Sequence, residues 1–386
     1  MIIGIPKEIM NGEARVAATP ETVKKFISDG ISVLVEAGAG IKSHYYDEQY
    51  AEAGAELISD PAELFQKSDL ILKVKEPLYN KNTGKHEVEM MHRGQYLITF
   101  IHPASPGNHD MVRQLAEAGV ISLTLDGIPR VSRAQSMDAL TSMSTCAGYK
   151  GMIMAADDLS FFMPQMFTPV GMLKPANVLV IGAGVAGLQA LATAKRLGAV
   201  THAMDIRPAA NEQAKSLGAK IVDPGAPPEI AIGEGGYANK LPEEWLAKER
   251  NVLREIIKEM DIIFLSALIP GKVAPILVTE EMVREMKNGS VIVDVSIDQG
   301  GNCAITPPGT KEVIHGVTIC GIKNIPGLIP TSSTWMFAQN VYNLVNYLVQ
   351  EGRVVLDTND DITRSILVTR DGEVVHQGAR EAMLIP

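Results

Sequence analysis

Only three cysteines and two tryptophans occur in 386 residues, and aromatic side chains make up just 5% of the chain. Cys146, Cys303 and Cys320 are too few for a disulfide framework, and their spacing fits no metal-ligand motif. A reduced, cytoplasmic protein with buried thiols and no metal is therefore expected. No stretch approaches the ~18 uninterrupted apolar residues of a spanning helix, so no direct membrane insertion is expected. A basic excess is also missing: 35 Lys and Arg against 45 Asp and Glu leave a formal charge of −10. That balance argues against nucleic acid or an anionic membrane surface as a partner. The chain opens on the apolar run Ile2–Ile5 and then Pro6-Lys7-Glu8, without a signal-peptide pattern. What is present is an ordinary globular composition, 46% hydrophobic and 21% charged, at a length that predicts two α/β domains.

Strand-like and helix-like segments alternate along the chain. In the first third the apolar runs 2–5, 32–35, 70–74, 96–100 and 121–125 read as strands, with helices such as 19–29 and 109–118 between them. Such alternation implies parallel sheets covered on both faces. A long helix over 138–158 leads into a second set of strands at 178–181, 200–204, 220–222, 262–265, 291–295 and 317–322. Beyond Pro330, the apolar face of Phe337, Val341, Leu344, Val345 and Leu348 predicts a helix returning to the first domain. Two short strands, 365–369 and 373–376, flank Asp371-Gly372, a strong hairpin signal. The expected architecture is α/β: two Rossmann-like domains with parallel sheets, a cleft between them and a C-terminal β-hairpin. Residues 1–137 plus 330–386 form the catalytic or partner domain, and residues 138–329 the nucleotide-binding domain.

The most informative segment follows the strand 178–181. Gly182, Gly184 and Gly187 form a Gly-x-Gly-x-x-Gly turn that runs through Val185 and Ala186 into a helix-forming stretch ending at Gly198. The next strand, 200–204, leads into Asp205, 18 residues beyond Gly187, close to the ~20 of a dinucleotide-binding unit. Gly182 permits the tight turn, Gly184 lets a pyrophosphate approach the backbone, and Gly187 lets helix and strand pack closely. The helix N-terminus offers free N–H groups and partial positive charge to phosphates. Asp205 can accept hydrogen bonds from both ribose hydroxyls and would repel a 2′-phosphate, so the expected cofactor is NAD(H) rather than NADP(H).

Other features are weaker alone. The glycine- and proline-rich stretch 223–242 has little periodicity and reads either as a surface excursion or as a lid over the nucleotide with Gly236-Tyr237 at its tip. Arg15 follows the first strand, Lys75 and His102 follow two others, and Asp298 lies just past 291–295. Ligand groups gather at such carboxyl ends in open α/β sheets. Arg and Lys there can hold a carboxylate and polarise a carbonyl, while His or Asp exchanges a proton; each is equally consistent with a solvated loop residue. The segment 128–140 reads as a polar loop entering a helix, with Arg130, Arg133, Gln135 and Asp138 on it.

With these residues the chain resembles the alanine dehydrogenase and pyridine nucleotide transhydrogenase family over almost its whole length. The Pro-Arg-(x)4-Gln-(x)2-Asp pattern resembles the loop by which the NAD(H)-binding component of proton-translocating transhydrogenase approaches the nicotinamide, with Arg130, Gln135 and Asp138 at the matching positions. Gly182 to Ala190, Gly236-Tyr237-Ala, Ala267-Leu268 with the residues to Lys272, and Gly300-Gly-Asn-Cys are similar too. The resemblance implies direct hydride transfer from NADH to NADP⁺ on a partner subunit. It places Arg130, Gln135 and Asp138 at the chemistry, and Gly236, Tyr237, Ala267 and Leu268 with the glycine turn around NAD(H). The implied partners are NADP(H)-binding and membrane subunits and a second copy of the chain. The chain itself would be a separate soluble component, cytoplasmic or held at the inner face of the cell membrane through those subunits. Lys75, His102, Asp298 and Arg15 resemble instead the pyruvate-binding lysine, catalytic histidine, catalytic aspartate and substrate arginine of alanine dehydrogenase. They imply the alternative, an NAD-dependent L-amino-acid dehydrogenase, for which the resemblance allows a hexamer.

Overall fold

The computed structural model describes residues 1–233, 238–269 and 273–385. The chain divides into two compact units, Met1–Met143 with Gly327–Pro386, and Ser144–Pro326.

The first unit is built on an eight-stranded sheet. From one edge the strands run Glu56–Ile58, Ser32–Glu36, Ile2–Ile5, Leu70–Leu72, Tyr96–Thr99 and Ile121–Thr124, all parallel, then Leu367–Arg370 and Glu373–Val374, each antiparallel to the strand before it. Leu70–Leu72 is buried at every position, as a central parallel strand covered on both faces must be. The helix Pro20–Ser28 starts where expected because the Thr19 side chain accepts the Thr22 N–H and Pro20 presets the first turn. At the far edge Asp371 and Gly372 both have positive φ, 55° and 86°, the backbone a two-residue I′ hairpin needs. The first hairpin strand begins at Leu367 rather than 365, because Asp360 caps a short helix, Asp361–Ile366, that takes up the preceding residues. The strand Glu56–Ile58 is an addition to the pattern read from sequence: two of its three residues are exposed, so no apolar run marks it.

The second unit carries a seven-stranded sheet in the order Lys220–Ile221, Val200–Met204, Asn177–Ile181, Ile262–Leu265, Val291–Asp294, Val317–Cys320, Lys311–Ile314. All but the last are parallel. Strand residues alternate between two cores: Val178, Val180, Phe264, Val291 and Val293 face one, and Leu179, Ile181, Ile263, Leu265 and Ile292 the other. This is a doubly wound Rossmann-like sheet. The strand order reverses between Asn177–Ile181 and its neighbour Ile262–Leu265, which places a crevice for ligands at their carboxyl ends.

The stretch 223–242 is less irregular than its composition suggests. It contains a short helix, Pro228–Ala231, and an isolated bridge between Ile232 and Ala238. Gly236 and Tyr237, the expected lid tip, lie outside the described residues. The following helix, Glu243–Ile257, is masked in the sequence because Glu249 occupies a position of its buried face between Leu246 and Leu253. Among the described residues no helix is long and apolar enough to cross a membrane, and no cluster of His, Cys, Asp and Glu could hold a metal ion.

Candidate functional site

The three fingerprint glycines differ physically. Gly182 has φ +89°, and a Cβ there would stand 2.6 Å from the Ser266 carbonyl on the neighbouring strand end. The turn is therefore closed to any side chain. A Cβ on Gly187 would run into the Gly182 carbonyl oxygen, so glycine there lets the helix Val185–Arg196 sit against the strand it follows. Gly184 is the opposite case: nothing lies within 4 Å of its added Cβ, and no side chain caps the helix it begins. Val185 and Ala186 form the first turn, which presents its free N–H groups beside that open backbone. This is a cradle that fits a dinucleotide pyrophosphate, and a Cβ would fill it.

Asp205 sits at the end of Val200–Met204 as expected, but its carboxylate is not free. One oxygen accepts the Arg207 backbone N–H (2.8 Å) and Nε (2.9 Å); the other accepts Arg207 Nη2 (2.8 Å) and the Ala183 N–H (2.8 Å). A carboxylate has about four lone-pair directions, and all four are used. The expected pair of ribose bonds therefore requires Arg207 to swing aside. The paired guanidinium also counters the charge expected to repel a 2′-phosphate. Asn211 fixes the backbone on either side, accepting from Asp205 N (3.1 Å) and donating to Asp205 O (2.8 Å).

Ala267 and Leu268 follow the neighbouring strand, Leu268 exposed. Asn302 holds this backbone from both sides: its Oδ1 accepts the Ala267 N–H (2.9 Å) and its Nδ2 donates to Ala267 O (2.9 Å) and Pro275 O (2.9 Å). Asp294 in turn accepts the N–H groups of Asn302 (2.8 Å) and Cys303 (3.0 Å) and the Thr306 hydroxyl (3.0 Å). Asp298 is exposed, with Lys323 3.8 Å away.

In the first unit, Lys75 follows a strand whose end is fixed from below. Buried Glu8 accepts the Val74 N–H (2.6 Å), and buried Lys73 binds Glu87 (2.9 Å) and Glu8 (3.5 Å). Burial pushes the Glu8 carboxyl up to about 7 against the pull of Lys73. His102 has a left-handed backbone, φ +49°, held because Asp126 accepts both its N–H (2.7 Å) and its ring Nδ1 (2.7 Å). Burial alone would lower this imidazole's pKa, but the bond and charge of Asp126 outweigh it and hold it above the ordinary histidine value. The ring stacks on Phe100 at 5.9 Å, leaving Nε2 as the nitrogen not bonded to Asp126. Arg15 is the arginine expected to meet a substrate carboxylate in the alternative reading. It is buried and forked onto Glu13 (2.6 and 2.7 Å), so binding a substrate carboxylate would first require breaking that pair.

The segment 128–140 is more ordered than a loop: Ser132–Met137 is a 3-10 helix with Ala134 and Met137 buried. Asn340 and Asn343, on the helix Pro330–Leu348, both donate to the Ser136 carbonyl (2.9 and 3.0 Å). Arg133 binds Asp360 (2.9 Å), Asp361 and the Tyr347 hydroxyl (3.0 Å). Asp138 accepts the Thr141 N–H (2.8 Å) and hydroxyl (2.6 Å), capping the long helix Ala139–Asp158. Gln135 and Arg130 are left exposed.

Comparison with known proteins decides the family. Residues 4–147 match the N-terminal domain described as "Alanine dehydrogenase/PNT", and residues 151–377 match its C-terminal domain. The chain belongs to the alanine dehydrogenase/PNT family. It is 42% identical to the first component of NAD(P) transhydrogenase subunit alpha of Rhodospirillum rubrum, over 97% of this chain and 98% of that one. It is 32% identical to alanine dehydrogenase of Bacillus subtilis over 98% and 93%. A solved transhydrogenase from Sinorhizobium meliloti superposes with a TM-score of 0.85 at 38% identity, covering 97% of this chain and 100% of that one.

Membership of a nucleotide-dependent oxidoreductase family agrees with the glycine cradle. Sequence reasoning did not single out Asn302, Asp126, Glu249 or the Asn340–Asn343 pair. Asn302 falls inside the Gly-Gly-Asn-Cys motif, and Asn340 is a buried amide on an otherwise apolar helix face, so each left a signal. Asp126, distant in sequence from His102, left none.

Proposed function

We propose that this chain is the NAD(H)-binding component of a proton-translocating NAD(P) transhydrogenase, passing hydride directly between NADH and NADP⁺ on a partner subunit. The observation that carries this reading is the 3-10 helix Ser132–Met137, strapped down by Arg133, Asn340 and Asn343 while Gln135 stays exposed to solvent. A fixed segment with an exposed amide suits positioning of one nicotinamide against another, for which no acid or base is needed. Bound NADH supplies the hydride. Gly184 and the first turn after it receive the pyrophosphate, Ala267-Leu268 flank the dinucleotide, Gln135 and Arg130 orient the nicotinamide end, and Asp138 acts through the helix it caps. The chain works as a homodimer with NADP(H)-binding and membrane subunits that hold it at the inner face of the membrane. Light scattering should give twice the 41.6 kDa chain mass, and a monomer would contradict that assembly.

The His102–Asp126 pair favours a second reading, an alanine-type dehydrogenase. Asp126 fixes the ring through Nδ1, leaving Nε2 for proton exchange, and the charge of Lys75 acts on the same imidazole. One pair of variants separates the readings. Gln135→Asn should cut hydride exchange with an NADP(H)-binding component steeply while NADH affinity stays within about twofold, the signature of lost positioning. His102→Ala should do little. Pyruvate-plus-ammonia turnover that falls about 10²–10⁴-fold in His102→Ala would support the dehydrogenase instead.

A further inference from the structure

Two of the four hydrogen bonds on the Asp205 carboxylate come from the backbone, the Ala183 N–H on one oxygen and the Arg207 N–H on the other. These hold the carboxylate in place wherever the Arg207 side chain goes. The guanidinium takes the remaining position on each oxygen, Nε at 2.9 Å from Oδ1 and Nη2 at 2.8 Å from Oδ2. One exchangeable bond on each oxygen is what the two hydroxyls of a ribose need, so the fork occupies the place of the diol. It also covers the carboxylate from the solvent side, since the Arg207 side chain is 20% exposed and that of Asp205 4%. The fork uses two of the five N–H donors of the guanidinium, and three remain for a second anion. The helix Pro208–Ser216 starts from Arg207, and no side chain caps that start, so its partial positive charge adds to the guanidinium's own.

We propose that Arg207 is a specificity-determining residue that admits NADP(H) to this site alongside NAD(H), a ligand that Asp205 alone would exclude. This rests on the reading of the glycine turn and Asp205 as a dinucleotide site. With NADH, the guanidinium gives up its two bonds and the ribose hydroxyls take their place. Opening the fork lowers the apparent affinity for NADH, because only the opened form binds it. With NADPH, the esterified 2′-oxygen has no hydrogen to give Asp205. Its phosphate instead meets the spare N–H groups of a guanidinium that stays beside its carboxylate. The Asp205 charge is neutralised by that same pairing and does not repel the phosphate. Arg207 therefore draws the two affinities together, and removing it moves them apart from both sides.

The test is calorimetric titration of the full chain with NADH and NADPH, for wild type and Arg207→Gln. The wild type should bind both, with NADPH within about a hundredfold of NADH. In Arg207→Gln, NADPH should weaken about tenfold or more, the size of a lost charge-assisted contact. NADH should tighten about threefold, because Asp205 is no longer covered by a partly exposed ion pair. The opposite signs are the decisive readout, since damage to the loop would weaken both nucleotides together, and that result overturns the proposal. NADPH affinity unchanged in Arg207→Gln overturns it too. Wild-type NADPH binding weaker than that hundredfold window does the same without any variant having to fold, and leaves the dinucleotide reading standing. If the wild type binds no NADH at all, the nucleotide site itself fails, and the proposal with it.

Discussion

At the scale of single residues, glycine shapes the turn proposed to receive the nucleotide, and its three fingerprint positions should behave differently under substitution. Gly184→Val places its side chain in open space beside the helix start, so the fold should tolerate it, with stability changed by about 0.5 kcal/mol or less. NADH binding should nevertheless disappear, because the pyrophosphate needs that space. Gly187→Ala drives a methyl into the Gly182 carbonyl and should cost stability first, by about 1–3 kcal/mol. Calorimetry and thermal melting of both variants read the two effects separately; a Gly184→Val protein that binds NADH normally would remove the nucleotide from this turn. The residue scale is also where sequence reading reached its limit. The positions of Gly182, Gly184, Gly187 and Asp205 follow from local spacing. The fork of Arg207 onto Asp205, the closure of Arg15 by Glu13 and the pairing of His102 with Asp126 depend on side-chain directions, and the last joins residues on two different strand ends.

Among the elements, the strands buried on both faces were legible because burial forces an unbroken apolar run, as in Ile262–Leu265. Elements with mixed surroundings were not. Glu56–Ile58 is an exposed edge strand, and Glu249 interrupts the apolar face of its helix. The 3-10 helix Ser132–Met137 is held by Asn340 and Asn343, 204 and 207 residues away from Ser136, so its order could not be read locally. Its rigidity has a direct consequence. Asn340→Ala with Asn343→Ala removes both donors from the Ser136 carbonyl, each bond worth about 1 kcal/mol. The freed segment should exchange its amides faster and hydride transfer should slow, while NADH affinity changes by less than about threefold. Equal hydrogen exchange across 132–137 in variant and wild type would show that the two asparagines do not hold the segment.

For the whole molecule, two α/β units follow from the alternation of strands and helices, and the family is fixed by matches covering residues 4–147 and 151–377. The same chain carries an exposed Gln135 on a strapped 3-10 helix and a His102–Asp126 pair suited to proton exchange. Transhydrogenation uses the first and has no need of the second; amino-acid dehydrogenation reverses that. NADH deuterated at the transferable ring position decides between them when the chain is mixed with an NADP(H)-binding component, NADP⁺, pyruvate and ammonia. The account predicts that the deuterium appears in NADPH without loss to water, and that none reaches an amino acid. Deuterium carried into alanine, with no labelled NADPH, would contradict it.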